Sequence, residues 1–224
     1  MKVAVLGASG GVGKELVNDA IARGHDVVAV VRPSSQLAPP NGVVVQRGSF
    51  DDGSFLATAF RGCDAVLSAL GLKASGLSPF ARVEDPSFLR KSTPIIVAAM
   101  KEAGVKRLVA VSAGGVGDSY EMMPGVFRAM IKTTVLRKVY PELHAMEQGF
   151  LHSGLDVCIV RPSGLTDGPK TGRVRVVTSF RGRATISRAD VAGYMLDVLA
   201  LPTVPTVPTV PTADGRTPVI TVEG

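Results

Sequence analysis

A chain of 224 residues is long enough for one large domain and short for two, and its 46% of apolar residues can build a substantial core. The formal charge of +6 is spread over scattered basic residues, and aromatic residues for base stacking are few. These features argue against a nucleic-acid surface and favour attraction for an anionic cofactor or substrate.

The apolar runs and the cysteines bear on where in the cell the protein is expected. No apolar run approaches the roughly 20 residues of a membrane span, and the opening run, residues 3–6, is too short for a signal-peptide core. Cys63 and Cys158 lie in apolar, strand-like segments without metal-ligand spacing, which predicts buried free thiols in a reducing compartment. We therefore expect a cytoplasmic protein with no metal and no membrane partner.

Short apolar segments alternate with helical patterns through most of the chain. Helices are expected after the first glycine cluster, from Asp51 or Asp52 to Phe60, and over residues 87–103 and 142–152, and Gly24, Gly104 and Gly154 follow as stops. Strands are expected over residues 3–6, 27–31, 43–46, 65–69, 107–111 and 157–160. Because these strands are apolar nearly throughout, they indicate a mostly parallel, doubly wound α/β sheet (a Rossmann fold) with helices on both faces.

The last third of the chain follows a different pattern. Residues 173–178 alternate apolar and polar side chains, "ISRADVAGYMLDVLA" predicts an amphipathic helix, and residues 218–222 predict a last short strand. We interpret these as a small C-terminal lobe on the substrate side of a single domain spanning residues 1–224. The Pro-Thr-Val repeat, residues 202–212, is interpreted as a surface excursion.

Two irregular segments rich in Gly, Ser, Pro and Met follow strands in this pattern. Residues 72–86 come after the fourth strand and residues 114–141 after the fifth. Both leave the carboxyl ends of parallel strands, where doubly wound sheets bind their ligands. Met122, Met123, Phe127 and Met130 in the second segment are equally compatible with a soft apolar lid and with core packing.

The opening stretch, "KVAVLGASGGVG", places a glycine cluster between a strand and a helix. Gly7, Gly10 and Gly13 form Gly-x-x-Gly-x-x-Gly inside one βαβ unit, which is typical of a turn that binds the diphosphate of a dinucleotide at a helix N-terminus. Arg32 ends the second strand, where a carboxylate would select NAD and an arginine suits the 2′-phosphate of NADP. With Ser34 and Ser35 beside it, Arg32 predicts a preference for NADP(H), with NAD(H) as the less favoured coenzyme.

Several longer stretches resemble the atypical short-chain dehydrogenase/reductase superfamily in its NmrA-like branch, and most of all the biliverdin-IXβ reductase/flavin reductase type. They are "GASGGVG", "VRPSS", "DAVLSALG", "IIVAAMKEAGVKRLVAVSA", "HSGLDVCIVRPSGLTDGPKTG" and "ISRADVAGYML". The similarity runs to about Ala200, and the last two stretches are its most specific part.

The resemblance implies a set of coenzyme contacts. In chain order it assigns Gly7, Ser9, Gly10, Gly11, Val12 and Gly13 to the diphosphate, Arg32 and Ser35 to the 2′-phosphate, Ser49 and Phe50 to the adenine, Ala69, Leu70 and Gly71 to the ribose, and Ser112, Ala113, Pro162, Ser163 and Gly164 to the nicotinamide. Two positions depart from the family. Ser49 stands where the family often has Asp, and Gln36 stands where the biliverdin-IXβ type has a second arginine.

Catalytic candidates are few. The Tyr-x-x-x-Lys pair of ordinary short-chain dehydrogenases is absent, although Tyr140 and His144 have its spacing with His in place of Lys. Pro141 beside Tyr140 is equally typical of a helix start. Ser112, at the end of the fifth strand, is the stronger candidate for contact with substrate, and its structural alternative is a hydroxyl that satisfies a strand-end carbonyl.

Two functions of different classes remain open. The first is an NADPH-dependent reductase of a small planar acceptor (a flavin, quinone or tetrapyrrole), with Ser112 and solvent assisting protonation. The second is a non-catalytic NADP(H) sensor of the NmrA type. A nucleotide-sugar epimerase is less favoured because no second substrate domain follows. A monomer and a homodimer are both compatible with the sequence.

Overall fold

A computed structural model of the chain describes residues 1–177, 185–201 and 219–223, the last segment by its backbone alone. Within these residues ten strands and six α-helices occur in the order β1 (Lys2–Leu6), α1 (Gly11–Ala22), β2 (Asp26–Val31), β3 (Val44–Arg47), α2 (Gly53–Phe60), β4 (Ala65–Ser68), α3 (Phe88–Glu102), β5 (Arg107–Val111), α4 (Gly125–Thr133), α5 (Leu136–Leu151), β6 (Asp156–Pro162), β7 (Gly164–Thr166), β8 (Arg175–Val176), β9 (Thr185–Ser187), α6 (Arg188–Leu199) and β10 (Val219–Glu223).

Eight of the described strands form one sheet in the order β3-β2-β1-β4-β5-β6-β10-β8. All pairs in it are parallel except β10 with β8. The first three strands run outward from β1, and the chain then returns to add β4 on the other side of β1. This reversal confirms the doubly wound α/β fold and opens a crevice at the carboxyl ends of β1 and β4.

Helices cover both faces of the sheet, as the apolar strands predicted. On one face, α2, α3 and α5 bury a cluster that includes Phe60, Met100 and Phe150. On the other face, α1 and α6 bury a second cluster around Leu16 and Met195. Cys63 and Cys158 are buried free thiols, as predicted, and burial raises the pKa of the Cys158 thiol to about 12.

The prediction of an irregular segment at residues 114–141 was wrong. A short 3-10 helix (Gly117–Tyr120) is followed by α4 and by the first turn of α5, which begins at Leu136. Pro141 therefore lies inside a helix and does not start one. The amide hydrogen that it lacks would have bonded the carbonyl of Arg137, which is exposed and can be solvated. Apolar side chains at positions 135, 139, 143, 146 and 150 already carried the helical period across the proline.

The small C-terminal lobe contains a two-stranded parallel sheet of β7 and β9 beside the main sheet. The alternating residues 173–178 contribute only the two-residue strand β8, and position 178 lies outside the described residues. The predicted last strand is present as β10, displaced by one residue from 218–222 and paired with β6. The Pro-Thr-Val repeat, residues 202–212, also lies outside the described residues.

Candidate functional site

The turn between β1 and α1 is shaped for close approach to its backbone. Gly7 has a φ of +72°, and a Cβ there would lie 2.8 Å from the carbonyl oxygen of Ala69. A Cβ on Gly13 would overlap the carbonyl oxygen of Gly7 and lie 2.9 Å from the Cα of Ala8. Two glycines therefore let the turn, β4 and the start of α1 pack backbone against backbone.

The first turn of α1 offers free amides. Gly10 precedes the helix, and no side chain caps the helix N-terminus. The N–H groups of Gly11, Val12 and Gly13 therefore have no helical partner. The Val12 side chain is buried, and only its amide is available. Amides without a helical partner at the positive end of a helix fit a diphosphate.

A cavity of about 500 Å³ opens beside this turn, on the outer side of α1. Its lining residues include Ser9, Lys14, Asn18, Ser35 and Gln36. The structure thus brings together Ser9 and Ser35, which were both predicted, and the unpredicted Lys14. Lys14 directly follows the third glycine, and that position in the first turn of α1 was the signal for it in the sequence.

Arg32 lies just after β2 and is exposed, as a contact with a 2′-phosphate requires. Its nearest carboxylate is that of Glu84, 3.6 Å from Nη1, and Glu84 also pairs with Lys73 at 3.2 Å. Glu84 belongs to the segment that follows β4, so this loop reaches across to the end of β2. Glu84 was not predicted, because no local pattern relates it to Arg32.

The predicted adenine and ribose contacts follow β3 and β4. Ser49 accepts a hydrogen bond from the Asp51 amide at 3.4 Å. The Phe50 ring is buried and packs edge-on against Phe88 at 5.8 Å, which leaves the backbone of Phe50 for any adenine. Ala69, Leu70 and Gly71 leave β4 directly opposite the glycine turn, with the Ala69 amide bonded to the Leu6 carbonyl at 2.9 Å.

Three serines lie at the carboxyl ends of three adjacent strands. Ser68 ends β4, Ser112 follows β5 and Ser163 follows β6. The oxygen of each side chain is buried and has no hydrogen-bond partner within the described residues. Since buried hydroxyls in proteins are nearly always bonded, a cluster of such hydroxyls fits a site for a polar ligand group. Ser68 is an addition to the predicted set.

The backbone around these serines is well fixed. The Ser112 amide donates to the Val160 carbonyl at 2.8 Å, and the Gly114 amide donates to the Pro162 carbonyl at 2.7 Å. These bonds extend the β5–β6 pairing past the ends of both strands and hold Ala113 beside Pro162. Gly164 then begins β7. Within the part of the chain that the structure describes, the Ser112 hydroxyl bonds no carbonyl, so the structural alternative for it is not observed.

Tyr140 and His144 lie on α5 against the loop that follows β5. The Tyr140 hydroxyl donates to the Gly114 carbonyl at 3.0 Å, and burial raises its pKa well above the usual range. His144 is exposed, and its ring lies against Gly117. A phenol that holds its proton tightly and shares it with a backbone carbonyl is suited to fixing the loop and poorly suited to donating a proton.

A buried ion pair supports the same loop from below. Arg161 (3% exposed) donates from Nε and Nη2 to the two carboxylate oxygens of Glu147 (0% exposed), at 2.9 and 2.6 Å. A third bond joins Arg161 to Asp118 in the loop. Favourable charge and hydrogen bonds outweigh the desolvation that opposes them, and they raise the pKa of Arg161. Glu147 thus has a structural partner.

The "ISRADVA" stretch ties the C-terminal lobe to the helices. Ser187 caps α6 by accepting from the Asp190 amide at 2.9 Å. The Asp190 carboxylate accepts from Thr171 and from the Gly172 amide, at 2.7–2.9 Å. Although burial opposes its charge, the hydrogen bonds from Ser187, Gly172 and Thr171 hold the pKa of Asp190 below its usual range.

Comparison with known proteins decides the family. Residues 7–202 match the family model described as "NAD(P)H-binding". This chain belongs to that NAD(P)H-binding family. The match covers the glycine turn, the serine cluster and the "ISRADVA" stretch, and it confirms the resemblance to the atypical short-chain dehydrogenases/reductases.

Relatives of this NAD(P)H-binding protein extend over its full length. It is 28% identical to UPF0659 protein YMR090W of Saccharomyces cerevisiae, over 98% of this chain and 96% of that protein. A 3-beta-hydroxysteroid dehydrogenase of Mycolicibacterium neoaurum is 27% identical over 73% of this chain and 47% of its own length.

Solved structures agree in fold. The ChuY anaerobilin reductase of Escherichia coli O157:H7 superposes with a TM-score of 0.75 at 25% identity, covering 100% of this chain and 97% of that one. A short-chain dehydrogenase/reductase of Veillonella parvula, solved in complex with NADP, superposes with a TM-score of 0.76 at 16% identity, covering 100% and 94%. The first of these is consistent with the biliverdin reductase-like branch.

Two further kinds of site were sought in the part of the NAD(P)H-binding chain that the structure describes. Among residues 1–177 and 185–201, no group of His, Cys, Asp and Glu side chains could hold a metal ion. No helix in the described part of the chain is long and apolar enough to cross a bilayer.

Proposed function

We propose that this chain is an NADPH-dependent reductase that transfers a hydride to a small planar acceptor, such as a flavin, a quinone or a tetrapyrrole. The observation that carries this proposal is the Ser112 hydroxyl after β5, which is buried and has no partner within the described residues, at the same edge of the sheet as the glycine turn that fits a diphosphate. When bound, NADPH supplies the hydride from its nicotinamide ring.

Residues that follow four strands, β1, β2, β5 and β6, would hold the coenzyme. The amides at the start of α1 would bind its diphosphate, and Arg32, Ser35 and Lys14 its 2′-phosphate. Lys14 compensates for Gln36, which stands in place of a second arginine. The segments after β5 and β6 would orient the nicotinamide, because the backbone bonds between them make a fixed edge.

Proton supply narrows the class of acceptor. Tyr140 is bonded to Gly114 and Glu147 to Arg161, whereas the hydroxyls of Ser68, Ser112 and Ser163 have no partner within the described residues. Of these three we assign Ser112, which follows β5, to the hydrogen bond with the acceptor. Conjugated acceptors delocalise the charge that the hydride brings, and a serine with solvent can protonate them without a strong protein acid. The 25% identity to an anaerobilin reductase supports a tetrapyrrole within this class.

The apolar side chains after β5 suit a flat substrate. Met122, Phe127 and Met130 are half-buried, while Met123 is part of the core. We therefore assign Met122, Phe127 and Met130 to the side wall of the substrate site and Met123 to core packing. Methionine adapts its shape easily, which suits a wall for an extended ring system.

A coenzyme sensor remains the second candidate. The specific observation in its favour is that Tyr140 and Glu147 are both committed to structural bonds. Such a protein would bind NADP(H) with the same residues and pass the signal to a partner, without reducing any acceptor.

Replacing Ser112 with alanine tests the catalytic proposal. We expect NADPH oxidation with FMN, a quinone or biliverdin to slow by about 10- to 100-fold in kcat/KM, because one hydrogen bond to a charged transition state is lost. Absorbance at about 340 nm gives the rate. Ser54→Ala, on the exposed face of α2, is the matched control and should be unaffected. Wild-type protein that binds NADPH but reduces none of the acceptors would favour the sensor.

Arg32 and Glu84 test the choice of coenzyme. Arg32→Ala should lower the affinity for NADPH by about 10- to 100-fold, because charge-assisted bonds to phosphate are lost. The affinity for NADH should stay within about twofold of that of the wild type. Glu84→Gln should tighten NADPH by about threefold, because a carboxylate that competes for Arg32 becomes neutral. Isothermal titration calorimetry gives both constants. An equal loss of NADPH and NADH in Arg32→Ala would contradict the 2′-phosphate assignment.

A further inference from the structure

Gly11 has no explanation in the Gly-x-x-Gly-x-x-Gly pattern, which uses Gly7, Gly10 and Gly13. Its φ is not positive, so the backbone does not demand glycine. A Cβ on Gly11 would, however, lie 2.6 Å from both Cδ and Nε of Arg188. The side chain of Arg188 therefore lies across the first residue of α1, in the space that any other residue at position 11 would fill.

Arg188 is held in this place by an ion pair to a loop that is itself fixed by further bonds. It is the first residue of α6, which Ser187 caps. Its Nη1 donates to the Asp167 carboxylate at 2.5 Å. The loop that carries Asp167 is in turn fixed through Thr171 to Asp190 and through Lys170 to Asp19, at 2.8–2.9 Å. Arg188 thus reaches α1 from a rigid support.

Stability alone does not explain this arrangement. The Asp167 side chain is 90% exposed and that of Arg188 28%, and ion pairs of this kind stabilise proteins little. Contact between α1 and α6 is already provided by Arg23, which bonds Asp197 and the Gly193 carbonyl. A glycine within the first turn weakens a helix relative to alanine. The combination of Gly11 and Arg188 therefore points to a ligand.

We propose that Arg188 binds the diphosphate of the coenzyme together with the amides at the start of α1. The inference rests on the proposed coenzyme function and adds to it a residue from the opposite end of the chain. A guanidinium bonds phosphate oxygens in pairs, and its place against Gly11 adjoins the free amides of Gly11, Val12 and Gly13. Arg188 has donors for both Asp167 and the diphosphate. Because the diphosphate is present in NADPH and NADH alike, this contact does not depend on the 2′-phosphate.

Calorimetric titration of three nucleotides tests the proposal. We expect Arg188→Gln to lower the affinity for NADPH and for NADH equally, by about 10- to 50-fold. Adenosine 2′-monophosphate, which has no diphosphate, should bind as tightly as to wild type. Arg32→Ala should give the opposite pattern, losing NADPH and adenosine 2′-monophosphate but not NADH. Unchanged NADPH and NADH binding in Arg188→Gln, or an equal loss of all three nucleotides, would overturn the inference. Wild type that binds neither dinucleotide would overturn the proposed coenzyme function itself.

Gly11→Ala provides a second, independent test. Its methyl group should displace Arg188 and weaken NADPH by about tenfold in wild type, but by less than twofold in the Arg188→Gln background. Thermal unfolding should show no loss of stability, because the contact is with a flexible side chain. Gly125→Ala, at the first residue of α4 with no atom within 4 Å of the new Cβ, is the matched control. Equal weakening by Gly11→Ala in both backgrounds would overturn the link between Gly11 and Arg188.

Discussion

Gly13→Ala should abolish most coenzyme binding and destabilise the protein at the same time. The new Cβ would overlap the Gly7 carbonyl oxygen and lie 2.8 Å from its carbon, and both atoms belong to backbone that cannot turn aside. The start of α1 must therefore move away from the turn. We expect the free energy of unfolding to fall by about 2–3 kcal/mol, and NADPH to weaken by at least about 100-fold as two amide–phosphate bonds are lost.

Chemical denaturation and calorimetry measure the two effects of Gly13→Ala. Gly125→Ala again serves as the control, because it adds the same methyl group to a helix start without any contact. That control should keep wild-type affinity and stability or gain slightly in stability. A Gly13→Ala protein that binds NADPH within threefold of wild type would show that the close approach of α1 to the turn is not needed for the diphosphate.

Glu147→Gln should be the most destabilising single change of a charge in the described residues. Glu147 is the main partner of the buried Arg161, and both are almost fully removed from solvent. A neutral amide leaves the guanidinium with a buried charge balanced only by Asp118. Breaking such a pair costs about 3 kcal/mol, which for a chain of this size lowers Tm by roughly 6–12 °C.

Glu142→Gln, one turn earlier on α5, is the matched control for Glu147→Gln. Glu142 is also buried and pairs with Arg90 at 3.0 Å, but the Arg90 side chain is 62% exposed and can be solvated when the pair is lost. We expect a loss of about 1 kcal/mol or less. The double variant Glu147→Met/Arg161→Met should recover much of the stability, because no buried charge remains. Equal destabilisation by Glu147→Gln and Glu142→Gln would contradict the importance of the buried pair.

The Glu147–Arg161 pair also bears on function, since Arg161 bonds Asp118 in the loop after β5. Tyr140 fixes the same loop through the Gly114 carbonyl. Under the proposed function, Tyr140 and Glu147 act on Ser112 by holding the segment that follows it, because both are committed to structural bonds. In the proposed reductase they are positioning residues, and His144 is an exposed neighbour of the same loop.

The amino-acid sequence alone predicts the α/β class, the positions of strands β1 to β6 along the chain and the glycine turn. These features depend on local patterns: apolar strands of a buried parallel sheet, helical periodicity, and glycines at positions where a side chain would collide. It also placed Arg32 at the end of β2. Helix α4 was not predicted, and α5 was predicted to begin at residue 142, after Pro141, although the apolar period continues across that proline.

The three-dimensional structure was needed to show which of these residues lie close together. Three features join segments that are far apart in the chain. They are the three serines at adjacent strand ends, the pairing of Glu84 with Arg32 and the position of Arg188 against Gly11. Local patterns specify which face a side chain takes on its own strand or helix, but they do not specify its partner on another. The partner is set by how the helices and loops pack around the sheet, and this packing brings α6 against α1.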